Sequence, residues 1–282
     1  MGYNEVCFVK KSIFLIPSCK LYQTGLRLYF GRARKFIIIR NLVEGEKNEK
    51  DILLLVVSYI LFLKSMRKLI YTCLFLLLVL TAQSQNLKIA KLQYDGGGDW
   101  YSNKTALPNL IAYCNANLNM QLVKEEEVVD VSSVELFLYP YIYMTGHGNV
   151  VFSTSDAENL RTYLMAGGFL HIDDNYGLDQ FIRLEMKKVF PELEFVEIPF
   201  NHPIYHQKYD FDKGLPKVHE HDGERPQGLG LILEGKLVCF YTYESDLGNG
   251  WEDQNIYNDP EYIRQEALKM GANIITYCFT QE

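Results

Sequence analysis

From residue 87 to the end of the chain, stretches that alternate apolar and polar residues take turns with stretches of helical spacing. That alternation constrains the fold more than any other feature. Residues 87–94 (LKIAKLQY) alternate like a strand and stop at Asp95 and the glycines 96–98. Residues 106–118 place Leu107, Leu110, Ile111 and Cys114 on one helical face. A short strand is predicted around residues 127–131. The compact run 140–144 (PYIYM) reads as a strand buried on both faces. Ser155 and Glu158 form the predicted capping box of a helix reaching Met165 and closed by Gly167-Gly168. A strand at 169–172, a helix at 178–190 and a strand at 193–198 come next.

Strand and helix units joined by right-handed crossovers require a mostly parallel sheet. After Pro199 the pattern changes. Residues 229–234 and 236–243 read as a hairpin around Gly235, an antiparallel addition to that sheet. A last helix runs from about Pro260 toward Phe279, with Gly271 inside it as a tolerated weak point.

The N-terminal part is chemically different. Residues 1–85 carry 13 Lys+Arg and 5 Asp+Glu, a net of +8, whereas residues 86–282 carry 15 and 30, a net of −15. So acidic a body repels phosphates and argues against a nucleic-acid partner. Met66-Arg67-Lys68 is a short basic head, residues 69–80 are a twelve-residue apolar stretch, and residues 81–85 (TAQSQ) put Ala82 and Ser84 at positions suited to signal peptidase. Residues 66–84 therefore read as a secretory signal peptide whose apolar part is too short to span a bilayer. Cys73 lies inside that stretch with no small residues before it, which speaks against a lipid anchor. A second apolar run, residues 52–63, precedes it. Two readings of residues 1–65 stand: an extension upstream of a true start at Met66, or a membrane-anchoring N-terminus. Residues 85–282 read as one domain, exported after cleavage near residue 84, whose membrane contact is limited to the N-terminal segments.

In an open α/β sheet, ligands bind beyond the carboxyl ends of the strands. The residues just past each predicted strand are therefore the candidates. The first strand leads into Gly97, Gly98, Asp99, Trp100 and Tyr101; the 140–144 strand into His147 and Asn149; the 169–172 strand into Asp173, Asp174 and Asn175; the last into Glu244, Asp246 and Trp251. The glycines lack the G-x-G-x-x-G spacing of a dinucleotide loop, so they serve either a close backbone approach or a flexible turn. Asp173-Asp174 can bind a cation or hold one acid of raised pKa, and Asp at a strand end is also a common helix cap. Trp100 and Trp251 lie in polar loops, which suits stacking on a ligand such as a sugar and equally suits packing of the loops. The cysteines of this part, Cys114, Cys239 and Cys278, sit among apolar neighbours and read as buried thiols.

Four of the six histidines fall between residues 202 and 221: His202, His206, His219 and His221. A short helix from Asn201 would put the first two on one face, and an extended segment would do the same for the second two. Zinc wants three or four N, O or S ligands. One pair with Asp173 or His147 could supply them, but the spacing matches no strong zinc signature, and imidazoles also serve as struts in ordered loops.

The stretches LQYDGGGDWYSN, YMTGHGN, GGFLHIDDN, NHPIYH, LPKVHEHDG and GWEDQNIYNDPE resemble the bacterial domain-of-unknown-function family numbered 4159 over nearly all of residues 87–279. The resemblance implies a class I glutamine amidotransferase-like fold, a flavodoxin-like three-layer sandwich. The ending Ala-Gln-Ser-Gln resembles signal sequences of Bacteroidetes and implies a periplasmic protein. Active class I amidotransferases carry a cysteine nucleophile after the strand matched here by residues 169–172, where this chain has Asp173, Asp174 and Asn175. Glutamine hydrolysis through a thioester then has no nucleophile. Two functions arise as expectations: a non-catalytic module gripping a small molecule, glycan or peptide in a His/Asp-rich pocket, or a hydrolase using Asp173, Asp174 and His147, with a divalent metal such as zinc held by the 202–221 histidines.

Overall fold

The computed structural model describes residues 7–9, 12–14, 49–81 and 87–281. The chain divides into two compact units, Met1–Ala82 and Gln83–Glu282. In the first, β1 (Cys7–Val9) pairs antiparallel with β2 (Ser12–Phe14), and α1 (Glu49–Thr81) is one continuous helix of 33 residues. Both apolar runs, 52–63 and 69–80, lie on α1 and are separated by Lys64, Arg67 and Lys68. No helix among the described residues is long and apolar enough to cross a membrane. The cleavage positions Ala82 and Ser84 lie outside the described residues.

The second unit is an α/β domain. Its elements in order are β3 (Ile89–Gln93), α2 (Ala106–Asn117), β4 (Glu127–Asp130), β5 (Tyr141–His147), α3 (Thr154–Met165), β6 (Phe169–Tyr176), α4 (Asp179–Val189), β7 (Val196–Glu197), β8 (Gln227–Leu233), β9 (Lys236–Tyr243), α5 (Leu247–Trp251), α6 (Gln254–Tyr257) and α7 (Glu261–Thr280). The strands form one seven-stranded sheet in the order β4-β3-β5-β6-β9-β8-β7. The first five are parallel, while β8 runs antiparallel to both β9 and β7.

Side-chain alternation along the central strands splits the core into two layers. Tyr141, Tyr143, Phe169 and Phe240 face one side, where they pack with Leu107, Leu110 and Ile111 of α2 and Ile274 and Ile275 of α7. Ile142, Met144, Leu170, Ile172 and Cys239 face the other, against Leu160 and Leu164 of α3 and Ile182 and Met186 of α4. Covering on both faces explains why the PYIYM run is apolar without a break.

Four expectations need correction. The α3 cap is Ser153, whose hydroxyl accepts from the Asp156 backbone N–H while the Asp156 carboxylate accepts from the Ser153 N–H. That reciprocal box sits two residues before the Ser155/Glu158 pair. The strand expected at 169–172 continues to Tyr176, so Asp173-Asp174-Asn175 are strand residues and no elbow comes after Ile172. The strand expected at 193–198 shrinks to Val196–Glu197, since β7 is the outermost strand. Gly271 is required rather than tolerated: a Cβ there would lie 2.7 Å from both Leu110 Cδ1 and Trp251 Cζ2.

Candidate functional site

Because β3, β5, β6 and β9 are parallel, the loops after them share one edge of the sheet. The adjacent aspartates of β6 nevertheless do not act together. The strand continues through them, so its two-residue period sends them to opposite faces. Asp173, fully buried, accepts the backbone N–H groups of Leu247 (3.2 Å) and Gly248 (2.6 Å) at the start of α5, with the hydroxyls of Thr242 and Tyr143 as further donors. Burial and the nearby Asp246 carboxylate push its pKa up to about 7. Asp174 accepts from the Leu178 N–H (3.1 Å) before α4 and from the Tyr241 hydroxyl (3.1 Å), and burial raises its pKa. Asn175 is closed off by a mutual amide pair with Asn103 (3.0 and 3.2 Å).

The centre of the edge is instead the turn from β9 to α5. Glu244 (φ 57°) and Asp246 (φ 62°) both occupy the left-handed region, an uncommon conformation for a residue with a side chain. Asp246 has no exposed surface. Its Oδ2 meets His219 Nδ1 at 2.9 Å and His221 Nε2 at 3.4 Å, and accepts from the Asn249 amide. His219 Nε2 reaches Asp259 at 3.0 Å. Hydrogen bonding to Asp246, reinforced by Asp259, raises the His219 pKa to about 9 against the opposing effect of burial; His221 is raised by the same Asp246. Lys217 pairs with Glu244 at 2.6 Å, the Val218 N–H donates to the Ser245 carbonyl, and Ser245 Oγ donates to the Pro216 carbonyl. Residues 216–222 are thus strapped onto the turn. Three buried side-chain atoms here have no hydrogen-bond partner among the described residues: Thr145 Oγ1, Asp246 Oδ1 and Asn249 Oδ1.

A cleft of about 410 Å³ opens beside the strap, lined by Asp174, Tyr176, Asp179, His221, Tyr243 and Glu244 among others. The half-exposed Tyr176 ring stacks on His221 at 5.3 Å and closes one wall. On the opposite side of the turn the Tyr257 ring stands edge-on to His219 at 5.0 Å. Burial, then the carboxylates of Asp246, Glu252, Asp259 and Asp99, raise the pKa of the Tyr257 phenol, so Asp99 and Asp246 lie within electrostatic reach of one hydroxyl.

Asp99 belongs to the glycine loop. Gly98 N–H donates to the Asn149 carbonyl, Val151 N–H to the Asp95 carbonyl, and the Asn149 amide to the Gly96 carbonyl. A Cβ on Gly98 would lie 2.6 Å from the Asn149 carbonyl oxygen. The glycines therefore serve close backbone approach, between two loops of the same chain. The zipped loops bring the Asp99 carboxylate to His147 Nδ1 at 3.0 Å. Trp100 is partly buried and meets the exposed Tyr101 edge-on.

The remaining candidates fall elsewhere. Trp251 is fully buried, and its indole N–H donates to the Ala267 carbonyl, which leaves no face for a ligand. The histidine cluster is divided. His202 Nδ1 accepts from the Ile204 N–H and caps the short 3-10 turn Pro203–Tyr205, with its ring 5.4 Å from Tyr277. His206 bridges Asp210 and the Phe200 carbonyl. The same Pro203 and Tyr277 line a depression with Gly235 and Lys236, at the amino end of β9. One pair thus sits at each end of the sheet, and the four-histidine metal set does not form. Among the described residues no three His, Cys, Asp or Glu side chains are arranged to hold a metal ion.

Pattern reasoning missed several participants. Lys217, Tyr176, Asp222 and Asp259 border the site, and only Lys217 and Asp222 carried a signal, standing beside the 219–221 histidines. Lys91 is buried on β3 and donates to the carbonyls of Ser102 and Asn103 while pairing with Glu126, which fixes the stretch that holds Asn175.

A family model described as "Domain of unknown function (DUF4159)" matches residues 88–279, and the chain belongs to that family. A search of curated proteins finds no match.

Proposed function

We propose that the second unit is a ligand-binding domain of an exported, periplasmic protein, built on a flavodoxin-like, class I glutamine amidotransferase-like framework that carries no glutaminase chemistry. The order β4-β3-β5-β6-β9 of its five parallel strands corresponds to the flavodoxin-like 2-1-3-4-5 order and supports that framework. Where the framework would carry a nucleophilic cysteine, β6 continues as Asp173-Asp174. The cysteines of this unit, Cys114, Cys239 and Cys278, are buried, and burial holds their thiols far from ionising (Cys114 is pushed up to about 12).

One observation carries the binding reading: among the described residues, Thr145, Asp246 and Asn249 hold buried polar atoms without partners at the edge where the parallel strands end. Buried polar groups of that kind take their partners from a ligand or solvent. The cleft beside them is bordered by carboxylates and tyrosines, a surface suited to a small, polar, donor-rich molecule such as a sugar or a short peptide. A metal-dependent hydrolase is disfavoured, because the histidines that would hold the metal are at opposite ends of the sheet.

Thermal-shift titration of the full chain with neutral sugars, amino sugars, amino acids and dipeptides tests the reading. A true ligand at a hundred times its Kd stabilises by about 2.7 kcal/mol. That shift should vanish in Glu244→Gln and in Tyr176→Ala, the latter at an exposed position that the fold tolerates. An unchanged shift in both variants, or none with any compound, overturns the assignment.

A further inference from the structure

The Asp99–His147 pair is not used by that reading, and its geometry has a meaning of its own. The Asp99 carboxylate lies 3.0 and 3.2 Å from His147 Nδ1 and also accepts the backbone N–H of His147. A carboxylate facing Nδ1 fixes the tautomer with its proton there and leaves Nε2 as the basic nitrogen. Among the described residues nothing hydrogen-bonds Nε2, and the imidazole is 48 % exposed. That exposure leaves the ring open to solvent.

The position in the fold is a second, independent pointer. β3 and β5 are neighbours, yet the chain leaves β3 toward the edge strand β4 and leaves β5 the other way, toward β6. Asp99 lies past the end of β3 and His147 ends β5, so the pair stands at the point where the strand order reverses. Open α/β sheets receive their substrates there.

We propose that Asp99 and His147 form a general-base dyad that hydrolyses carboxylic esters. His147 is the catalytic residue and Asp99 the positioning residue. Nε2 takes a proton from a water molecule as the water oxygen bonds to the acyl carbon and the carbonyl electron pair moves onto oxygen. The tetrahedral adduct collapses, the bond from carbon to the alkoxy oxygen breaks, and the imidazolium returns its proton to the departing alkoxide. The products are a carboxylic acid and an alcohol, with no oxidant or reductant involved. An ester is the class for which one proton shuttle suffices, because an alkoxide departs from such an adduct more readily than an amide nitrogen does.

The test is hydrolysis of p-nitrophenyl acetate by the full chain. Wild type should exceed the same concentration of free imidazole, and His147→Gln should lose roughly 10²-fold of that rate. Asp99→Asn should lower kcat with KM changed by less than about twofold, a split that a merely structural role would not give. Added imidazole should restore turnover to His147→Ala. Wild type no faster than free imidazole, His147→Gln as fast as wild type, or Asp99→Asn moving KM as much as kcat overturns the proposal. The ligand-induced thermal shift, read on the same His147→Gln sample, should persist. A shift absent already in wild type counts against the binding assignment, while the hydrolysis comparison decides the dyad on its own.

Discussion

His219 is held between two carboxylates, and that arrangement makes a statement about stability. Its pKa rises from 6.5 to about 9 in the folded protein, so the folded state binds the proton more tightly than the unfolded chain does. The stabilisation is complete below about pH 6.5 and is lost as pH climbs through about 9. Melting temperature measured across that window should fall in wild type and should fall less in His219→Gln. Asp173 works in a lower window. Its folded pKa of about 7 against an ordinary 3.8 means that stability declines as pH rises from about 4 to about 7. Asp173→Asn should flatten that decline, and urea midpoints at pH 4 and pH 7 would reveal it. A slope unchanged in the variant would show that Asp173 is ionised in the folded protein throughout.

At the scale of elements, two substitutions separate local propensity from packing. Within α7, Gly271→Ala would gain about 1 kcal/mol by helix propensity alone. The new methyl meets Leu110 and Trp251 at 2.7 Å, so we expect instead a net loss of roughly 1–3 kcal/mol in urea denaturation. For α3, Ser153→Ala should cost about 1 kcal/mol and Ser155→Ala far less, since only Ser153 caps the helix backbone. Most elements were legible in the sequence because their apolar periods are strong: α2, α3, α4, α7 and the β8–β9 hairpin lie where the pattern puts them, while β5 runs three residues past its expected end, to His147. The far end of β6 was hidden. Asp173-Asp174-Asn175 looks like a polar loop, and most of what makes it a strand is distant: the N–H groups of Leu247 and Gly248 that bond Asp173 and the Asn103 amide that bonds Asn175, with the Leu178 N–H four residues from Asp174. Lys91 was hidden for the same reason, its partners being backbone carbonyls eleven and twelve residues away.

For the molecule as a whole, parallel strands predicted that the loops carrying Asp99, His147, Glu244 and Asp246 would share an edge, and they do. Sequence proximity misled where it competed with topology. His202 and His221 are close in the chain, but the excursion from β7 to β8 first passes the amino end of β9 near Pro203 and then returns to the carboxyl end, so the two histidine pairs settle apart. The unlike charge of the two units has a consequence at this scale too. If residues 66–84 direct export, N-terminal sequencing of the protein recovered from its native cells should read a start near Gln85, and a retained Met1 would refute that origin. The stitching of the 95–98 and 146–151 loops bears on how the edge can move. Neither loop can shift without dragging the other, so Asp99 and His147 travel as a yoked pair. Freedom at this edge lies instead with residues 216–222, whose His219 anchor slackens once its proton is lost.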